Sequence, residues 1–175
     1  TQLLGPGYAL LRPEFAKARK RLKWRNGNVK RIFVFFGGSD AHNLTSMALH
    51  ALSEPELSHL EVDVVIGKNN IHRDEIQRAV ESRGLTHLHV QVDSMAAIMV
   101  KADLALGSAG VNTWERICVG LPSLVISFAE NHKLILDDLT KNGHVHYLGS
   151  IKNVDKSIIK KGILDIISEQ LLIKD

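Results

Sequence analysis

Residues 102–131 read ADLALGSAGVNTWERICVGLPSLVISFAEN, and the order of patterns inside this stretch decides the fold. Residues 103–106 are a short apolar run that enters the turn Gly107-Ser108-Ala109-Gly110. Residues 111–119 carry a helical pattern that stops at Gly120, as helices often do where glycine takes up the left-handed closing position. Pro122 then opens a second apolar run over 123–128. Strand, glycine turn, helix and strand in succession form the unit of a parallel sheet, whose neighbouring strands need a long crossover.

The same alternation extends to both sides. Residues 31–36 (RIFVFF) stop at Gly37-Gly38-Ser39-Asp40, and a helix is expected over 43–53, with Leu44, Met47, Ala48 and Ala51 at helical spacing. Asn43 or Asp40 is its expected cap. A strand over 62–66 ends at Gly67, and a helix over 71–82 carries Ile71, Ile76, Ala79 and Val80 on one side before Gly84. Residues 85–92 read as a third strand, and Ser94 caps a short helix over 94–100. Beyond the quoted stretch come a helix over 131–141, a strand over 144–148 and a helix over 156–172. The strands are continuous apolar runs, the pattern of strands buried on both faces. The expected fold class is therefore α/β, a Rossmann-like parallel sheet with helices on both faces. Residues 1–30, interrupted at Gly5-Pro6-Gly7 and at Pro13, lie outside the alternation and read as an interdomain segment leading into a domain over 31–175.

Composition excludes several classes. The chain has 175 residues, 45% hydrophobic and 23% charged, with a net charge of +3, which suits one globular core. No apolar run approaches the ~20 residues of a membrane-spanning helix, and the opening residues lack a signal-peptide pattern. A start at Thr1 rather than methionine suggests a piece of something longer. One cysteine, Cys118, permits no internal disulfide and favours a reducing, cytoplasmic setting. Basic residues crowd between Lys17 and Arg31, but with only one interleaved aromatic, Trp24, and no RNA-binding or zinc-knuckle signature they read as a solvated helix and linker rather than a nucleic-acid patch. No nucleic-acid partner, metal or cofactor is expected.

The chemistry is expected where the two glycine-rich turns meet helices. Glycine lets a backbone approach an anion closely, and a helix start offers free N–H groups with a positive dipole end. Together the turns at Gly37-Gly38-Ser39 and at Ser108-Ala109-Gly110-Val111 suit a diphosphate. Neither matches G-x-G-x-x-G or G-x-x-x-x-G-K-[ST], so a dinucleotide fold or a P-loop ATPase is not indicated. Glu115, within two turns of the second glycine turn, can accept both hydroxyls of a ribose, or else pairs with Arg116 or faces solvent.

Residues 102–131, with residues 4–15 (LGPGYALLRPEF) and 35–45 (FFGGSDAHNLT), strongly resemble the UDP-sugar hydrolase of the pseudaminic acid pathway and the related spore-coat polysaccharide proteins. More distantly they are similar to the nucleotide-binding half of the lipid-linked peptidoglycan N-acetylglucosaminyltransferase. The resemblance implies the carboxyl-terminal half of a two-domain GT-B-type enzyme that releases UDP from a deoxy-acetamido sugar. It implies that Glu115 holds the ribose and that Ser108, Ala109, Gly110 and Val111 meet the phosphates, helped by Thr113. The segment from Val92 to Met95 would lie against uracil, and Gly38 and Ser39, beside Gly37, would face the diphosphate from the other turn. Glu130, Asn131 and His132 would stand near the sugar, although His132 replaces an expected Gln and Ala41-His42 replaces a proline-containing pair. The implied partners are UDP or a UDP-sugar and an amino-terminal domain carrying the catalytic histidine, whose G-x-G-H-x-x-R motif has no counterpart here. Sugar transfer by the same grip, or a non-catalytic binding module, are the alternatives.

Other residues invite plainer readings. His87 with His89, and His144 with His146, share strand faces but lack the cysteines or clustered acids of a metal site. Cys118 and Trp114 read as packing residues, and Asp137-Asp138 as a solvated helix face.

Overall fold

The computed structural model describes residues 9–22, 25, 27–128 and 132–172, the last three by backbone alone. Six strands, β1 (Arg31–Phe35), β2 (Glu61–Ile66), β3 (Thr86–Val90), β4 (Leu104–Ser108), β5 (Ser123–Ser127) and β6 (His146–Ser150), form one sheet in the order β3-β2-β1-β4-β5-β6. Every pairing is parallel. Among the described residues seven helices connect and flank them: α1 (Pro13–Lys20), α2 (Leu44–Leu52), α3 (Arg73–Arg83), α4 (Met95–Met99), α5 (Val111–Cys118), α6 (Lys133–Lys141) and α7 (Lys156–Leu172).

The two-residue period of the strands divides the core. Ile32, Val34, Leu104, Leu106, Leu124 and Ile126 point to one face and pack under α2, α3 and α7. Phe33 and Ala105 point to the other, where Phe15 of α1 and Met95, Ala96 and Met99 of α4 cover them. Val125, on that same face, meets Leu136 and Leu139 of α6. Both faces are thus buried over the central strands, which is why these read as unbroken apolar runs. The edge strands β3 and β6 are half exposed and depart from that expectation.

Several local readings change. Pro13 starts α1 instead of breaking it, because a first-turn residue needs no N–H acceptor within the helix. α3 begins two residues later than read, leaving Ile71 80% exposed before it. β6 also begins later, because Gly143 in the left-handed region keeps the chain turning, and His144 lies before the strand rather than on a face with His146. The basic stretch is only partly solvated. Half-buried Arg25 donates to the carbonyls of Ala102 (2.9 Å), Val119 (3.0 Å) and Gly120 (2.8 Å), and burial lowers its pKa.

Candidate functional site

From β1 the chain moves outward to β2 and β3, then returns to β4 and builds β5 and β6 on the opposite side. The order therefore reverses between β1 and β4, where the turns leaving two adjacent strands diverge and open a crevice at the carboxyl edge. Phe35 lies in register with Gly107, so both glycine-rich turns of the sequence open at this point.

The first turn brings its own anion. Asp40 and Asn43 both adopt left-handed backbone, which folds the buried Asp40 carboxylate over the start of α2. There it accepts from the N–H of Leu44 (3.0 Å) and Thr45 (2.8 Å). Of the two caps the sequence allowed, Asp40 is the one used. The turn is also pinned to the end of β2, where the Gly67 N–H donates to the Gly38 carbonyl at 2.9 Å. A Cβ on Gly67 would stand 2.6 Å from that oxygen. Gly38 and Ser39 remain exposed to the crevice.

The second turn is open. Gly107 and Ser108 belong to β4 rather than to the turn, and the Ala109 N–H is spent on the Ile126 carbonyl (3.0 Å). Gly110 caps α5 with no side chain, and a Cβ there would meet nothing within 4 Å. The N–H groups of Val111 and Asn112 have no acceptor inside the helix, so they and the dipole face the crevice. Thr113 braces this geometry: its buried hydroxyl accepts from the Gly110 N–H (3.3 Å) and donates to the Ser108 carbonyl (3.4 Å). That hydroxyl is engaged inside the turn, where it also accepts from Arg116 Nη2 (3.1 Å). At the start of α2, by contrast, a carboxylate already occupies the free N–H groups.

Glu115 lies one turn along α5 and is 6% exposed. It pairs with neither Arg116 nor solvent. One carboxylate oxygen accepts from Asn112, and the other lies 3.9 Å from Nε of Arg12. Burial pushes its pKa up, against the hydrogen bond from Asn112 and the charge of Arg12. Arg12 also holds Glu14 at 2.8 Å, and Glu14 accepts from Ser94 Oγ. Ser94 in turn caps α4 through the Ala97 N–H (3.2 Å). This chain of contacts brings Val92 and Met95 to the same end of the sheet as Glu115. Glu130 and Asn131 lie outside the described residues. His132, half-buried before α6, lines a cavity of about 190 Å³ with Gly110, Thr113, Trp114 and Leu136.

Of the remaining histidines, His42, His50, His59, His144 and His146 are exposed, and half-buried His72 has a buried Nε2 without a hydrogen-bond partner. His87 lies 3.0 Å from Glu61 and His89 2.8 Å from Asp63, and Arg31 joins both carboxylates. Among the described residues no three His, Cys, Asp or Glu side chains stand together at metal-binding spacing. Among them, too, no helix is long and apolar enough to cross a membrane. Asp137 and Asp138 are exposed.

A parallel sheet of this order with helices on both faces matches the Rossmann-like carboxyl-terminal half of GT-B glycosyltransferases. The chain belongs to the glycosyltransferase family 28 C-terminal domain family, which it matches over residues 31–167. It is 30% identical over 146 residues to the spore coat polysaccharide biosynthesis protein SpsG of Bacillus subtilis (strain 168), covering 83% of this chain and 43% of SpsG. The chain thus spans less than half the length of that relative. Among solved structures, MurG of Acinetobacter baumannii superimposes with a TM-score of 0.64 at 14% identity, over 89% of this chain and 46% of MurG. The UDP-GlcNAc 2-epimerase of Neisseria meningitidis, solved with UDP-GlcNAc bound, superimposes with a TM-score of 0.61 at 18% identity, over 89% of this chain and 40% of the epimerase. Membership of a glycosyltransferase family overturns the expectation that the intact protein hydrolyses a UDP-sugar.

Proposed function

We propose that this chain is the half of a two-domain glycosyltransferase that grips the nucleotide of a sugar nucleotide, with UDP as the nucleotide. The observation that carries this reading is the open, glycine-capped start of α5 at the β1/β4 switch point, with the buried Glu115 carboxylate one turn further on. The fold shared with an epimerase that binds UDP-GlcNAc supports the choice of ligand.

In this reading the diphosphate sits against Gly110, Val111 and Asn112, with Ser108 and Ala109 shaping the approach. Glu115, ionised, accepts both ribose hydroxyls, and Val92 and Met95 wall the base. Gly37, Gly38 and Ser39 form the opposite lip of the crevice, and His132 lies toward the sugar. When the bond from the anomeric carbon to the diphosphate oxygen breaks, negative charge grows on the leaving diphosphate. Fixed N–H donors and the helix dipole lower the energy of that charge without reorganising. Residues 1–30 would cross from an amino-terminal domain of the same protein, which would present the acceptor. A cytoplasmic setting goes with this, since the lone Cys118 makes no internal disulfide.

Calorimetric titration of the chain with UDP tests the reading, with ADP and Glu115→Ala as controls. Saturable heat with UDP, none with ADP, and affinity at least about tenfold weaker in the variant are expected, since removing a charged hydrogen-bond acceptor costs about that much. Equal binding of UDP and ADP, or of UDP by wild type and variant, contradicts it.

A further inference from the structure

We infer that Arg116 is a counter-charge built under the β4–α5 turn, a positioning residue whose cation, only partly offset by Glu115, is further balanced when an anionic diphosphate occupies the open start of α5. The inference rests on the nucleotide-binding reading above and adds to it a residue that never touches the ligand.

Arg116 is the largest fully buried side chain among the described residues, at 0% exposure. A buried guanidinium costs several kcal/mol unless charge and hydrogen bonds compensate it. Here the compensation is incomplete. Only one nitrogen is engaged, Nη2, which donates to the Ser108 carbonyl (3.0 Å) and to Thr113 Oγ1 (3.1 Å). Both acceptors are neutral, and Nε and Nη1 have no partner. Burial pushes its pKa down to about 10, against the pull of Glu115 on the same helix.

The position of this cation is specified by the backbone. A Cβ on Gly107 would stand 2.7 Å from Nη1 and 2.7 Å from the Phe35 carbonyl oxygen. Only glycine at 107 therefore lets the guanidinium lie over β4 beside β1, at the switch point. Its bonds tie the last residue of β4 to the first turn of α5, so it fixes the turn that ends in Gly110. A tether of this kind needs hydrogen-bond donors but no net charge. The charge that Glu115 offsets only in part is what points to an anion, and the start of α5, beside the Ser108 and Thr113 acceptors of Arg116, is open to receive one.

The test measures affinity for UDP and for uridine in wild type, Arg116→Met and Arg116→Lys, using ligand-observed NMR. The readout is the ratio of the two affinities, because a loosened fold weakens both ligands and leaves the ratio alone. A fall in that ratio of about tenfold or more is expected in Arg116→Met, which corresponds to about 1.4 kcal/mol of lost charge interaction. A smaller fall is expected in Arg116→Lys, which keeps the charge. If Arg116→Met does not fold, Arg116→Gln takes its place with the same expected fall. An unchanged ratio in the neutral variant overturns the inference, as does an equal fall in the neutral and lysine variants. Wild type that binds no UDP removes the nucleotide-binding reading and this inference with it. Wild type that binds UDP beside an unchanged variant ratio removes the inference alone.

Discussion

In the turn after β1, Asp40 lays its carboxylate on the N–H groups of Leu44 and Thr45, whereas the turn after β4 ends in Gly110 and leaves those of Val111 and Asn112 facing the crevice. Both turns are glycine-rich, both leave adjacent central strands and both start a helix. One helix start is already neutralised by a side chain from its own turn. The other is bare, lies above a buried arginine and has a buried glutamate one turn along. A glycine turn before a helix is therefore a permissive feature. Whether it receives an anion depends on which side chain, if any, has reached the free N–H groups first.

The strongest way to break this comparison is to give α5 what α2 has. Val111→Asp puts a carboxylate on the exposed first residue of α5, where it suits the helix dipole but repels a diphosphate. UDP affinity is expected to fall about a hundredfold with uridine little changed, since like charges placed together cost several kcal/mol. A comparable loss for both ligands by NMR titration counts against the phosphate position. Glu115→Gln comes next, and should weaken UDP and uridine alike by about tenfold, because it acts on the ribose. Removing the plug from α2 by Asp40→Ala should cost about 1 kcal/mol of stability in urea unfolding, the usual worth of a helix cap. It should leave UDP affinity within about twofold, a change under the ~1.4 kcal/mol of a tenfold step. A gain in UDP affinity there would mean that α2 also competes for the diphosphate.

The pH dependence gives the smallest effect and has two opposite signs. Burial raises the Glu115 pKa in the folded chain. As pH falls through that raised value the carboxylate is protonated and nucleotide affinity drops, at a higher pH than an ordinary carboxyl would give. Stability runs the other way. The folded state holds a proton that the unfolded state has lost, so stability falls as pH rises from the unfolded value through the folded one. Glu115→Gln should therefore raise the melting temperature at neutral pH while lowering nucleotide affinity, and should flatten the affinity profile on the acid side.

The strand and helix order was legible because the central strands are buried on both faces and each is punctuated by glycine. Errors fall where that burial fails. β3 and β6 are edge strands, so apolar runs blur at their ends, and Ile71 is apolar yet solvated. In the site, sequence marks the turns and Glu115 but cannot tell the plugged helix start from the open one. That depends on Asp40 entering the left-handed region, which no spacing rule requires. Arg12 was hidden because it reaches Glu115 from more than a hundred residues away in sequence. Arg116 was hidden because an arginine beside a glutamate on a helix ordinarily reads as a surface pair. The available signal was Gly107, since glycine inside a strand marks a place where another group comes close.

The most direct measurement is the crystal structure of this chain soaked with UDP. The account predicts the diphosphate within hydrogen-bond reach of the Val111 and Asn112 N–H groups, with both ribose hydroxyls on Glu115. Diphosphate bound instead at the start of α2, or a ribose held away from Glu115, would contradict it.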